Sequence, residues 1–227
     1  MPKTSWELLD TAQIPGSSDE LELHQRDGEF SISTKSGAQL MSTLEHESED
    51  VLAKLTCKKI ARRPRPRVLI GGLGMGYTLV AALHHLGDDA EVVVAELIPA
   101  VVRWNRGPLG AHAGHPLQDS RTTVREGDVA KILREERQAY DAILLDVDNG
   151  PRGVSRRKNN WLYGLDGLTE AYLALRPRGI LAVWSAGPNR AFMERLRKVG
   201  FKVGQTRVRS DGKQGDLHAI WLAERGP

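Results

Sequence analysis

From residue 67 onward the chain alternates short apolar, β-branched runs with helical segments, and few folds accept that pattern. The runs are "RVLIGG", "AEVVVAEL", "RTTVREGD", "YDAILLDVD" and "ILAVWSA". Between them lie "GYTLVAALHHLG", "PAVVRWNRG", "VAKILREERQ" and "DGLTEAYLALRPRG", and "NRAFMERLRKVG" follows the last run. A strand apolar at consecutive positions is buried on both faces, and parallel neighbours need crossover segments, usually helices. The pattern predicts an α/β fold with a parallel sheet covered on both sides. The fourth crossover helix is expected to run on to Pro177 and Gly179. Two final runs, "FKVGQTRVR" and "LHAIWLAER", have no helix between them. They predict a hairpin, which places an antiparallel pair at one edge of the sheet.

The N-terminal part reads differently. "ELELHQ" and "EFSIST" alternate in polarity around "RDG", a turn signal, and "AQLMS" is a third short strand. Residues 1–44 are therefore expected to form a small β-hairpin element. Residues 45–66 are expected to be a helix and linker. Val51, Leu52, Leu55 and Ile60 have near-helical spacing, acids load the helix start, and "RRPRPR" breaks it. Residues 67–227 are then expected to form the α/β unit.

Composition narrows the function classes. With 227 residues, 40% hydrophobic and 27% charged, the chain suits a globular protein. No apolar run is long enough to cross a bilayer, and "MPKTSWELLDTAQ" lacks the layout of a secretory signal. Cys57 is the only cysteine, so an internal disulfide and a cysteine zinc site are both excluded. A cytoplasmic location, with no membrane partner, is expected. The net charge of +3 is too small to imply nucleic acid. Basic residues do cluster at "ARRPRPR" and "RGVSRRK", but no aromatic-interleaved stripe accompanies them.

The chemistry-bearing residues fall at strand ends. "GGLGMG" places Gly71, Gly72, Gly74 and Gly76 between a strand and a helix, where backbone must turn tightly and can approach a ligand closely. Glu96 ends the next strand, 20 positions beyond Gly76. A carboxylate there suits a ribose, although a solvated strand-end glutamate has the same pattern. Asp128 follows the third strand and suits either an adenine amino group or the N-cap of "VAKILREE". Asp146 ends the fourth strand in "LLDVDNGP", a stretch that also reads as a plain turn. Ligands of open α/β sheets bind outside the carboxyl ends of the strands. Gly74, Glu96, Asp128 and Asp146 are thus expected on one rim. His112 and His115 in "AHAGHP" fit a surface loop better than a metal site. Trp161 and Tyr163 suit a pocket wall or the core.

The sheet order implied here resembles that of class I S-adenosylmethionine-dependent transferases, a Rossmann-like seven-stranded, mostly parallel sheet. More narrowly, "RVLIGGLGMGYTL", "VVVAELIPAVV", "VREGDV", "YDAILLDVDNGP" and "LYGLDGLTEAYLALRPRGILAVWS" are similar to the spermidine synthases, the polyamine aminopropyltransferases. In that family decarboxylated S-adenosylmethionine donates an aminopropyl group to putrescine. The resemblance implies Glu96 as the ribose-binding acid, Asp128 as the adenine reader and Asp146 as the catalytic carboxylate. It extends the nucleotide site to Leu97 and Val129. It places the acceptor near Glu45, His46, Asp148, Asn149 and Tyr163. His46-Glu47 match the His-Glu of the family's Tyr-His-Glu segment. Three positions depart from the family pattern: Gly74 stands for an aspartate that holds the donor's amine end, Asn149 for the second catalytic aspartate, and Glu45 for a tyrosine.

The expected co-substrate is S-adenosylmethionine or its decarboxylated form, with no metal. The expected acceptor is a small amine or other small molecule, with the nucleotide half kept and the acceptor half rebuilt. The expected assembly is a homodimer, without nucleic acid. A methyltransferase on the same fold, and a non-catalytic nucleotide-binding or regulatory protein, remain open.

Overall fold

The computed structural model describes residues 5–147, 150–152, 159–209 and 216–227. Strands β1 (Glu7–Gln13), β2 (Glu20–Arg26), β3 (Glu29–Thr34) and β4 (Gln39–Ser42) pair antiparallel in that order. The β2–β3 turn puts both Asp27 (φ 50°) and Gly28 (φ 86°) in the left-handed region. That is the tight-hairpin geometry an Asp-Gly pair favours. Leu21, Leu23, Phe30 and Ile32 are buried on the core side. The element is a four-stranded sheet, larger than the expected hairpin. β1 is the strand that pattern reading leaves out. Most of its residues are exposed, its apolar Leu8 and Leu9 are adjacent, and its pairing shifts register between Leu8 and Asp10. The period-2 signal is therefore absent from it. Trp104 holds it in place by donating its indole N–H to Asp10 Oδ2 at 2.7 Å.

Helix α1 (Glu47–Ile60) leads into the second sheet. That sheet is built from β5 (Arg67–Gly71), β6 (Glu91–Glu96), β7 (Thr122–Glu126), β8 (Tyr140–Leu145), β9 (Leu175–Ser185), β10 (Lys202–Arg209) and β11 (Leu217–Glu224). Their spatial order is β10-β11-β9-β8-β5-β6-β7. β5 to β9 run parallel, and β11 inserts antiparallel between β9 and β10. The remaining helices are α2 (Tyr77–His85), α3 (Pro99–Arg106), α4 (Pro108–His112), α5 (Val129–Glu135), α6 (Asn159–Leu162), α7 (Leu165–Ala174) and α8 (Arg190–Val199). Strand alternation splits the core in two. Val68, Ile70, Ala142, Leu144 and Ile180 pack with α1, α2 and α3. Leu69, Val93, Ile143, Leu145 and Leu181 pack with α5, α7 and α8.

The fourth crossover helix also differs from expectation. α7 ends at Ala174, and "LRPRG" already belongs to β9. Proline lacks an N–H and forces the residue before it out of the helical region, so Pro177 cannot prolong α7. Leu175 is extended (ψ 145°) and pairs with Tyr140. Among the described residues, no helix is long and apolar enough to cross a membrane.

A buried carboxylate locks the far end of this sheet. Asp141 accepts from Arg63 Nη1 at 2.7 Å, from Arg176 Nη1 at 2.6 Å and from the Arg67 backbone N–H at 2.9 Å. It joins the proline-rich entry segment to the starts of β5, β8 and β9. Removing the carboxylate strands three donors. Asp141→Ala is expected to lower stability by about 2–4 kcal/mol, read as a lower midpoint in urea. A loss under about 0.5 kcal/mol would contradict this role.

Candidate functional site at the carboxyl ends of the parallel strands

Parallel strands deliver their ends to one rim, and the glycine loop after β5 crosses that rim. The Gly72 N–H donates to Ala95 O at 2.9 Å, and the Asp146 N–H donates to Gly71 O at 2.9 Å. The loop is thus stitched to the ends of both β6 and β8. Gly72 has φ 90°, and a Cβ there would lie 2.4 Å from the Asp146 carbonyl oxygen. Its glycine is required by the approach of two backbones. Gly76 (φ 88°) is the N-cap of α2, and Asn105 Nδ2 donates to Gly74 O at 2.8 Å. Gly74 (φ 53°) lies under the Met41 thioether, 3.0 Å from where a Cβ would be. No acid is offered from that position.

Glu96 is buried beneath the loop. Its Oε2 accepts from the Leu73 N–H at 2.9 Å, and its Oε1 accepts from the Ile98 N–H at 2.8 Å. Burial pushes its pKa up, and hydrogen bonds from backbone N–H groups, including those of Leu97 and Gly74, oppose the rise. Asp128 is exposed and caps α5, accepting from the Ala130 N–H at 2.8 Å through Oδ1. Its neighbour Val129 is buried and would meet a Cβ placed on Gly71 at 3.0 Å.

Asp146 directly follows β8 and is partly buried. Thr78 Oγ1 donates to its Oδ2 at 2.6 Å. Burial raises its pKa, and the Thr78 bond opposes this. Glu49, in the first turn of α1, lies within reach of its charge. Burial, then the negative charge of Asp146, pushes Glu49 up to about 7. The Ser48 hydroxyl donates to Glu49 Oε2. Next along this wall, His46 stacks on Tyr77 with ring centroids 4.0 Å apart and bonds Asp50 through Nδ1 at 3.1 Å. Glu45 is exposed and faces His218. The His218 ring lies 4.6 Å from that of Trp184.

The expected rim therefore forms: Gly71, Gly72, Gly74, Gly76, Glu96 and Asp146 meet across the ends of β5, β6 and β8, with Asp128 and Val129 beside β7. Tyr163 does not face an open pocket. It is buried edge-on to Phe192, and its hydroxyl donates to Val147 O at 3.0 Å, which steadies the segment after Asp146. Asp148, Asn149 and the basic residues 156–158 lie outside the described residues. Sequence reading misses Thr78, Glu49, Tyr77 and Met41. Thr78 carried a usable signal, a hydroxyl two positions past the last loop glycine. The others act through contacts between distant segments. Among the described residues, no group of three or more His, Cys, Asp or Glu side chains is placed to hold a metal ion.

Comparison with known proteins gives this architecture a context. No family model matches the chain. It is 35% identical over 127 residues to polyamine aminopropyltransferase 1 of Streptomyces coelicolor, covering 55% of this chain and 23% of that protein. It is 26% identical over 122 residues to the polyamine aminopropyltransferase of Sulfolobus acidocaldarius, covering 54% and 39%. The spermidine synthase of Thermotoga maritima superposes with a TM-score of 0.75 at 16% identity, over 96% of this chain and 73% of that one. The chain has a spermidine synthase-like fold. A spermidine synthase in complex with the transition-state analogue AdoDATO shares that fold with a TM-score of 0.73 at 16% identity, over 96% of this chain and 72% of that one. The O-methyltransferase TomG of Streptomyces achromogenes, solved with S-adenosylmethionine, reaches 0.57 at 17% identity over 80% of each chain. The chain matches well under half the length of the two aminopropyltransferases.

The two loop glycines separate backbone packing from ligand access. Gly72→Ala combines a left-handed φ with a backbone clash and is expected to cost about 3 kcal/mol or more. Gly74→Ala meets only a flexible thioether and is expected to cost about 1 kcal/mol. Thermal melts of the two variants measure the difference. Equal losses would contradict the Gly72–Asp146 contact.

Proposed function

We propose that the protein is a transferase that binds an S-adenosylmethionine-type nucleotide across the ends of β5, β6 and β8. In this reading it moves an aminopropyl group from decarboxylated S-adenosylmethionine to a small amine. One observation carries the proposal: the glycine loop sits between two carboxylates, the buried Glu96 and the partly buried Asp146, with the Leu73 N–H on Glu96 and the Gly72 backbone against Asp146. The resemblance in sequence and fold to aminopropyltransferases supports it.

Each residue then has a task. The loop from Gly71 to Gly76 leaves room for the nucleoside. Glu96, fixed by backbone donors, accepts the ribose hydroxyls. Asp128 spends Oδ1 on the α5 cap and keeps Oδ2 for the adenine amino group, while Leu97 and Val129 border the ring. Asp146 faces the reacting amine, held in one rotamer by Thr78. The amine must lose a proton before it attacks carbon, and a carboxylate whose pKa is raised by burial takes it more readily than an ordinary one. The nitrogen lone pair forms the new C–N bond, and the C–S pair returns to sulfur, turning a sulfonium into a thioether.

Methyl transfer is the second reading. Gly74, under Met41, offers no acid for a donor's amine end, and the fold is shared with an O-methyltransferase. Parallel calorimetry with S-adenosylmethionine, its decarboxylated form and 5′-methylthioadenosine decides which group travels. Tightest binding of the decarboxylated donor is expected. Asp146→Asn is expected to cut turnover at least about 100-fold while nucleotide affinity stays within about threefold. Full turnover in this variant would overturn the role of Asp146, and a wild type that binds no nucleotide would overturn the reading.

A further inference from the structure

A buried amide lies directly behind the glycine loop, and one of its two arms is unpaired. Asn105, near the end of α3, is 1% exposed. Its Nδ2 donates to Gly74 O at 2.8 Å and to Val101 O, one turn back in α3, at 2.9 Å. Turning the amide over would set an oxygen against both carbonyls, so these two bonds fix its orientation. Its Oδ1 is left buried with no donor. That oxygen lies 3.0 Å from where a Cβ on Gly76 would be. The Gly76 N–H is already spent on Leu73 O at 2.8 Å, which closes a turn over residues 73–76. A buried acceptor without a partner is costly, and packing alone does not explain it. What the amide secures in return is a donor on the Gly74 carbonyl.

That carbonyl belongs to the central peptide of the turn. Turn types I and II differ chiefly in which way this peptide faces. Here Gly74 is left-handed (φ 53°) and Met75 is not, the pattern of a turn that favours glycine at its first central position. The Asn105 bond selects one facing of the peptide. In a planar trans peptide the carbonyl and the following N–H point in opposite directions. With the Gly74 carbonyl held toward α3, the Met75 N–H points away from α3. Among the described residues, that N–H meets no acceptor. Asn105 is itself well anchored. Its neighbour Trp104 is tied to Asp10 on β1, and Gly110 packs so closely on the Asn105 carbonyl that no Cβ would fit.

We propose that Asn105 is a positioning residue for the nucleotide and acts through the loop. It holds the turn with the Met75 N–H facing the rim, where that N–H donates to an oxygen of the nucleoside. The inference rests on the transferase reading above and adds a residue that lies outside the strand-end set.

The test uses 5′-methylthioadenosine as the probe and 15N-methionine labelling as the readout. The chain has four methionines, so the amide spectrum is sparse, and Met75→Leu assigns the Met75 signal. In the wild type this signal is expected to move downfield as the nucleoside is titrated in. Asn105→Leu and Asn105→Asp both remove the donor to Gly74 O, the second with almost no change of shape. Each is expected to move the Met75 signal before any ligand is added, and to weaken methylthioadenosine binding at least about tenfold. A merely structural amide would lower the urea midpoint but leave the Met75 signal and the affinity of the folded protein unchanged. Affinity within about threefold of wild type in either folded variant would overturn the proposal. So would a wild-type Met75 signal that ignores the bound nucleoside, a result that needs no variant to fold. A wild type that binds no methylthioadenosine would overturn the transferase reading, and the clamp on the turn then stands or falls by the unliganded Met75 signal.

Discussion

The approach of two backbones governs this molecule. The end of β5 turns so closely past the end of β8 that no side chain fits at Gly72. The same turn lends the Leu73 N–H to Glu96 on β6. Three strands that meet only through hydrogen bonds along their length are thereby locked at their tips. The side chains at the tips of β5 and β8 inherit their positions from that lock. Asp146 is fixed by its own backbone N–H to Gly71 O, Thr78 follows from the helix that the loop starts, and α1 brings Glu49 within reach of the Asp146 charge.

The two ends of β8 solve the same electrostatic problem in different ways. At its start, Asp141 is buried and saturated with arginine and backbone donors. At its tip, Asp146 is offered a hydroxyl and a second acid. The first arrangement favours the folded chain, because the carboxylate's charge is compensated within the protein. The second leaves charge uncompensated, which is the usual mark of a functional position.

Much of this was legible in the sequence because it rests on local rules. Consecutive β-branched residues divided by helical segments imply parallel strands, and parallel strands imply a common rim. Glu96 and Asp146 could therefore be placed together although 50 positions separate them. The Asp-Gly turn, the α5 cap at Asp128 and the final hairpin follow from residue type alone. The illegible parts depend on contacts between distant segments. β1 is held by Trp104 rather than by its own pattern. "LRPRG" joins a strand because Tyr140 waits for Leu175. Glu49 reads as one more acid at a helix start, a role the helix dipole already explains, and only the docking of α1 gives it Asp146 as a neighbour. Tyr163 reads from its place after the loop as either a pocket wall or a core residue, and only the packing on Phe192 decides for the core.

The central claim is that a nucleoside lies on this rim with its ribose on Glu96. The most direct measurement is a two-by-two comparison of affinities. 5′-Methylthioadenosine and its 2′,3′-dideoxy analogue are each titrated into wild type and into Glu96→Gln. The wild type is expected to prefer the intact ribose by about 10- to 100-fold, and the variant to lose most of that preference. An unchanged preference in Glu96→Gln, or none in the wild type, would contradict the claim.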